Sequence, residues 1–197
     1  MINSHNHLKK KVTNMQKMFI LIVFCFFLMS CGITSQAPVT TYYLLDAQPL
    51  AQKQKVTSAR IKLEKINIPD YLSTNQLVMR DSGHILIKAN YHSWADSLDD
   101  AIQRALLNDL NNLNEQSEFV GWCSGCDSIS VTIEHFYPAA EGTLLLSGFF
   151  ELSSKDGETK LFRFQLVDNL STDGYANAVK QMREQVGTLA AQINHAL

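Results

Sequence analysis

No apolar run in this sequence is long enough to cross a bilayer. The longest, Met18–Met29, stops at 12 residues, where a spanning helix needs about 20. Basic residues are not in surplus either: 17 Lys and Arg stand against 19 Asp and Glu, a balance that excludes a nucleic-acid partner. There is no GxSxG elbow and no glycine-rich phosphate loop, so neither a serine hydrolase of that type nor a nucleotide-binding site is indicated. His84, His92, His135 and His195 lack the i, i+4 pairing or Cys/His clustering of a zinc centre and read as solvated or edge histidines. Cysteine is scarce, at four residues in 197.

The first thirty residues divide as an export signal does. Lys9, Lys10, Lys11 and Lys17 supply a basic start, Met18–Met29 the apolar stretch, and Leu28-Met29-Ser30-Cys31-Gly32 a lipobox. The lipobox has an aliphatic residue at −3 and a small one at −1 before the cysteine whose thiol takes a diacylglycerol. Met29 at −2 is a less usual choice. Acyl chains on Cys31, palmitate among them, anchor at about 0.8 kcal/mol per buried methylene. Gly32 stands where an aspartate would signal retention in the inner membrane, so by similarity to other lipoproteins the expected address is the outer membrane, facing the periplasm. Met15 and Met18 are alternative starts, and nothing downstream depends on the choice.

The expected organisation is therefore a signal peptide over 1–30, a lipidated cysteine and tether over 31–41, and one domain over 42–197. Cleavage before Cys31 leaves 167 residues, enough for one core. It also lowers Lys plus Arg from 17 to 13 against 19 acidic residues, for a net charge of −6. The tether GITSQAPVTT spans at most roughly 35 Å, which keeps the domain close to its membrane.

Within the domain, Tyr42–Leu45 is a first strand candidate, and Arg60–Ile68 alternates apolar and polar residues as a half-buried strand does. Pro69-Asp70 breaks that strand. Gln76–Arg80 and His84–Lys88 flank an Asp81-Ser82-Gly83 turn as a hairpin, which makes the N-terminal half a small antiparallel set. Ser97–Glu115 reads as a helix with Ser97 as N-cap and a stripe of Leu98, Ile102, Ala105, Leu106, Leu110 and Leu113. Strands follow at Ser128–His135, Thr143–Leu152 and Lys160–Val167, the last two joined by a Lys155-Asp156-Gly157 turn. A second helix over Tyr175–His195 buries Ala178, Met182, Val186, Leu189 and Ile193. The fold class is α/β: a two-layer sandwich, a mostly antiparallel sheet with two long helices packed on it, in the order β-β-β-α-β-β-β-α.

Gly121-Trp122-Cys123-Ser124-Gly125-Cys126 resembles the active site of thioredoxin-like oxidoreductases, where a helix N-terminus lowers the first thiol's pKa. Here the following Asp127–Ile133 alternates like a strand, so Cys123 and Cys126 read as a local, turn-bracing disulfide or a pair of inert thiols. Trp94, Trp122, Phe136, Tyr137, Phe149 and Phe150 read as core side chains before they read as a lipid groove or partner surface. Of the adjacent pair Phe149-Phe150, one must leave the core side, which suggests an interface.

Three segments together resemble the ABC-type transport auxiliary lipoproteins of the PqiC/YmbA kind. They are Tyr42-Tyr43-Leu44-Leu45, then Ile66-Asn67-Ile68-Pro69-Asp70-Tyr71-Leu72 leading to Gln76–Arg80, then Trp94-Ala95-Asp96-Ser97-Leu98. The physical sense of these residues is visible without the family: Pro69 ends a strand, Tyr71 and Leu72 can cover a sheet edge, and Trp94 is a staple candidate ahead of the helix. The resemblance implies a non-enzymatic component of MCE-type systems that move phospholipids between inner and outer membranes, partnered with an MCE-domain subunit, with no catalytic residue, cofactor or metal. WCSGC falls outside that pattern. A periplasmic thiol oxidoreductase using Cys123 and Cys126, and a lipoprotein that itself binds a hydrophobic ligand, are the competing readings; unpaired sheet edges leave self-association as a homo-oligomer open.

The lipobox makes a direct prediction. Cells fed radiolabelled palmitate are expected to incorporate label into the full-length protein and none into Cys31→Ala. Label retained by the variant would remove the lipoprotein reading.

Overall fold

A long strand that carries neighbours along most of both sides organises this domain. The computed structural model describes residues 37–45 and 59–197. The signal segment, Cys31, the tether as far as Gln36 and the polar stretch from Gln48 to Ser58 lie outside the described residues. The elements run β1 (Thr41–Tyr43), β2 (Ala59–Leu63), β3 (Gln76–Ser82), β4 (Ile85–Trp94), α1 (Leu98–Leu113), β5 (Ser117–Val120), β6 (Asp127–Pro138), β7 (Thr143–Ser153), β8 (Thr159–Asn169) and α2 (Tyr175–Ala196). All belong to one unit, Val39–Leu197.

The strands form a five-stranded sheet in the order β5-β2-β6-β7-β8 and a smaller one in the order β1-β4-β3. The longest ladders, β6 with β7 and β7 with β8, are antiparallel. α1 and α2 pack side by side against the large sheet. They lay Ile102, Leu106 and Leu110, and Met182, Val186 and Leu189, onto inward-facing Ile129, Val131, Leu144 and Leu146, all buried in one cluster. This is the α/β sandwich that the two periodicities imply.

The N-terminal half departs from the antiparallel set expected of it. Only β3 and β4 pair that way. β1 runs parallel to β4, and β2 leaves for the large sheet, where it lies parallel to both β5 and β6. β2 also ends at Leu63, five residues earlier than its alternating pattern. Beyond it the chain still tracks β6, through Glu64 N–H to the Ile129 carbonyl at 2.9 Å and Asn67 N–H to the Val131 carbonyl at 2.9 Å. On the other side β5 has stopped, and the Gln103 amide donates instead to the Leu63 and Glu64 carbonyls at 3.2 and 2.9 Å. Leu113, placed on the buried stripe by spacing, is exposed in the last turn of α1. Ser97 does precede α1, but its hydroxyl bonds the Asp100 carboxylate at 2.7 Å rather than a backbone N–H. Trp94 ends β4 and is buried in the core.

β6 carries a bulge. Ile133 pairs with Gly148 and His135 with Ser147, leaving Glu134 as the extra residue. Its carbonyl accepts the Tyr71 hydroxyl at 2.8 Å, so the Pro69–Leu72 segment supplies the bond that the ladder cannot. Burial, and then the adjacent Tyr137, push the Tyr71 phenol up from 10.0 to about 12. Across the bulge, a Cβ on Gly148 would collide with the Thr132 carbonyl oxygen and stand 3.0 Å from Ile133 Cα. Both neighbours are main chain and cannot rotate away.

Gly148→Ala is therefore expected to cost about 2 kcal/mol or more, a melting temperature lower by roughly 4–8 °C. At Gly187 in α2, an added Cβ meets only side-chain atoms at 3.5 and 3.7 Å. Gly187→Ala is expected to gain up to about 1 kcal/mol from helix propensity, and equal melting of the two variants would refute the bulge argument. Tyr71→Phe is expected to cost about 1 kcal/mol near neutral pH through the lost hydrogen bond. Because the folded state raises this phenol's pKa, its contribution is complete below pH 10 and is lost as pH rises through about 12. The gap between wild type and Tyr71→Phe in thermal melts should narrow over that window; a constant gap would show that Tyr71 does not ionise there.

Candidate functional site

The cysteine loop shows first what its chemistry is not. Cys123 and Cys126 meet sulfur to sulfur with Cα atoms 5.9 Å apart, within the span a disulfide bridges. They lie in the loop from β5 to β6, and the element that follows them is a strand. Among the described residues neither helix begins at the motif, unlike oxidoreductases, where a helix N-terminus follows WCxxC and makes its first thiol acidic. Trp122 beside them is 76% exposed.

The histidines occupy structural or surface positions. His92 shares a hydrogen bond with the Tyr43 hydroxyl at 2.9 Å and stacks on Tyr175 at 3.9 Å, tying β1 and β4 to the start of α2. His135 lies 3.3 Å from the Tyr71 hydroxyl, and His84 and His195 are exposed. Among the described residues, no group of three or more His, Cys, Asp and Glu side chains converges as a metal ion would require.

Of the aromatic residues weighed as a groove or interface, Trp94, Phe136, Tyr137 and Phe150 are buried. Phe149 does face away from the core. The Arg163 guanidinium, however, sits over its ring at 5.8 Å, so that face is covered from within the chain rather than open to a partner.

Three surfaces remain to be read as contact sites. The first is a groove of about 560 Å³ between Tyr43, Leu44 and Leu45 and the α2 residues Ala176 and Val179. Its size suits a small ligand, but its rim charges are engaged: Lys180 with Glu184 at 3.9 Å, and Arg183 with Asp109 through two bonds of 2.7 Å. The second is the edge of the large sheet. Its β5 side is closed, because the Asn111 amide accepts from Phe119 N–H at 3.0 Å and donates to the Phe119 carbonyl at 2.8 Å, standing in for a further strand. Among the described residues its β8 side has a neighbour only in β7, leaving an 11-residue edge strand with Leu161 and Val167 exposed. The third is the β3–β4 hairpin, whose Ile85, Leu86 and Ile87 are 56%, 39% and 41% exposed. Sequence reasoning paired these residues across the hairpin and did not mark them as surface. The signal was available: three successive aliphatic residues in a strand cannot all face one core.

The sequence profile of the ABC-type transport auxiliary lipoprotein component matches residues 42–194, from β1 almost to the end of α2. The chain belongs to this family. Two curated relatives, each named intermembrane transport lipoprotein PqiC, come from Escherichia coli K12 and Shigella flexneri. Each is 28% identical over 125 residues, 60% of this chain and 64% of the relative. The chain thus spans under two thirds of the length of the curated relatives it matches. A crystal structure of an uncharacterized protein superposes with a TM-score of 0.73 at 25% identity, covering 81% of this chain and 99% of its own. A Xanthomonas campestris protein shares the fold with a TM-score of 0.64 at 10% identity, over 78% and 92% of the two chains.

In this auxiliary lipoprotein the segments that carried the resemblance all do structural work. Tyr43 reaches His92, Tyr71 closes the β6 bulge, and Trp94 fills the core where β4 ends. At the entry to α1, the Ser97 N–H and then Arg104 hold the Asp96 carboxyl below the usual carboxylate range. Tyr71 was expected to cover a sheet edge; it lies instead on the middle of β6. Cys31 lies outside the described residues.

Proposed function

We propose that this protein is a lipid-anchored periplasmic auxiliary subunit of an MCE/ABC-type system that moves phospholipids between the inner and outer membranes. It acts by docking to the transporter rather than by catalysis. The supporting observation is the family match over 42–194, joined to a lipobox at Cys31 in the preceding sequence. In this reading residues 1–30 are removed on export, Cys31 carries the acyl chains that hold the protein at the outer membrane, and 42–197 is the domain that meets the transporter. Cys123 and Cys126 form a disulfide in the oxidising periplasm and serve the loop, not a substrate.

The geometry offers docking a particular surface. β8 presents a row of main-chain donors and acceptors along one side, to which an extended segment of a transporter subunit can add as a further strand. β5, at the opposite edge, is closed by Asn111 and offers none.

A crosslinked pull-down from envelope membranes tests this reading, with wild type and Cys31→Ala compared and the partners identified by mass spectrometry. An MCE-domain subunit should be recovered with wild type and depleted with Cys31→Ala. Recovery of no envelope transport subunit with either protein would overturn the docking role, and recovery only of disulfide-linked substrates through Cys123 or Cys126 would put thiol chemistry in its place.

A further inference from the structure

The β3–β4 hairpin is sided. Its exposed aliphatic residues, Ile85, Leu86 and Ile87, lie on β4, and they face Ser82, Arg80 and Met79 of β3. The small sheet has the order β1-β4-β3, so β4's far side is the side on which β1 joins. β1 covers only its last residues, Thr41 to Tyr43 pairing with His92 to Trp94. From Ile85 to Tyr91, β4 therefore has an edge to which β1 does not extend, apolar and exposed at Ile85, Leu86 and Ile87.

The same pairing fixes the direction in which the chain enters β1. β1 is parallel to β4, so Val39 and Thr40 approach from the hairpin end of the small sheet, on β4's side. Val39, at that approach, is 86% exposed. Only eight residue steps separate it from Cys31, roughly 28 Å of fully extended chain. The seven residues from Ile85 to Tyr91 reach about 23 Å beyond the β1 pairing if straight, and less with the register shift that β4 contains. Counted from the same level, Thr41 opposite His92, the tether reaches roughly 35 Å, about 12 Å beyond the straight hairpin. A domain anchored through Cys31 can therefore rest this end of β4 on the anchoring surface.

We propose that the β4 side of this hairpin, through Ile85, Leu86 and Ile87, is the surface on which the domain rests on the bilayer that holds its lipid anchor. This rests on the reading of Cys31 as lipidated. The chemistry grades as a membrane interface does. Aliphatic side chains come first, then Lys88, whose stem can lie on apolar surface with its ammonium in the headgroups, then Tyr91, with exposed Tyr42 on the neighbouring strand. The polar turn and the β3 side chains keep the hairpin flat at headgroup depth instead of buried in hydrocarbon. There water and phosphate oxygens can bond the open main-chain edge of β4. A protein docked on this edge would have to fit within the roughly 12 Å of slack that the tether leaves beyond the hairpin.

The test places benzoylphenylalanine at Leu86 in the full-length protein, and at Leu161 on β8 as a comparison, in cells whose phospholipids carry radiolabelled phosphate. After irradiation, the probe at Leu86 is expected to give several-fold more phosphate-labelled lipid adduct than the probe at Leu161. Crosslinks from Leu86 to a second copy or to another protein in place of lipid, equal lipid adducts at both positions, or none at Leu86, would overturn the assignment. Palmitate incorporation is read on the same samples. Absent palmitate removes the anchor, whereas palmitate without a lipid adduct at Leu86 removes the hairpin assignment alone.

Discussion

The hydrogen bonding of β6 is the constraint on which the rest of the domain depends. This one strand receives β2 and the segment after it along its first half, β7 along nearly its whole length, and β3 just past its end, where Arg80 bridges Ala139. A straight strand could not serve both sheets. The extra residue at Glu134 bends it, and a bend leaves a carbonyl without a ladder partner, which Tyr71 satisfies. Gly148 opposite the bulge allows the main chains to close up where any side chain would hold them apart. Pro69, Tyr71 and Gly148 thus belong to one device, although they are far apart in the chain. Arg80 continues it beyond the bulge, gripping Glu141 and lying 6.0 Å from the Tyr137 ring.

With the strands referred to β6, their free sides differ in kind, and the difference separates possible roles. The β5 edge is finished by a side chain that copies a strand. The β8 edge is long, regular and polar enough to stay soluble, with Lys160, Arg163 and Asp168 along it, which suits reversible strand addition. The β4 edge is aliphatic at its hairpin end, towards which Val39 and Thr40 lead back from β1. In the proposed role the protein has two contacts to keep apart, with its membrane and with its partner. The exposed Ile85–Ile87 end of β4, which β1 does not reach, belongs to the small sheet, and β8 is a margin of the large one, so the two contacts fall on different sheets.

Much of this architecture was legible in the residues. Both helices follow from their stripes, and the buried faces of α2 match the apolar spacing at Ala178, Met182, Val186, Leu189 and Ile193. The strands β6, β7 and β8 follow from period-two alternation and the turns between them. What was not legible is long-range. Which neighbour β2 takes depends on the bulge in β6 and on where β5 stops, and neither leaves a mark in the β2 sequence. β5 itself is four residues long, too short for any periodicity, and it is held by Asn111 in α1 rather than by its own pattern. The covering of Phe149 by Arg163 is likewise a cross-strand fact, since these residues are paired only through the β7–β8 register.

The cysteine loop shows how such long-range facts alter the meaning of a motif. β5 and β6 flank β2 and run parallel to it, an arrangement that ordinarily needs a crossover of about a dozen residues or more to carry the chain back to its starting level. Here no return is needed. β5 ends opposite Lys62 and β6 begins opposite Ile61, so residues 121–126 have only to step across one strand, about 10 Å of sheet. Six residues accomplish this with Gly125 at φ +69° and the two cysteines brought together within the turn. A helix at this position, the element that thioredoxin-like chemistry requires, would push β6 out of register with β2 and so detach the strand that organises both sheets. The spacing that resembles a redox centre in the sequence is, in this fold, the spacing of a tight step between parallel strands.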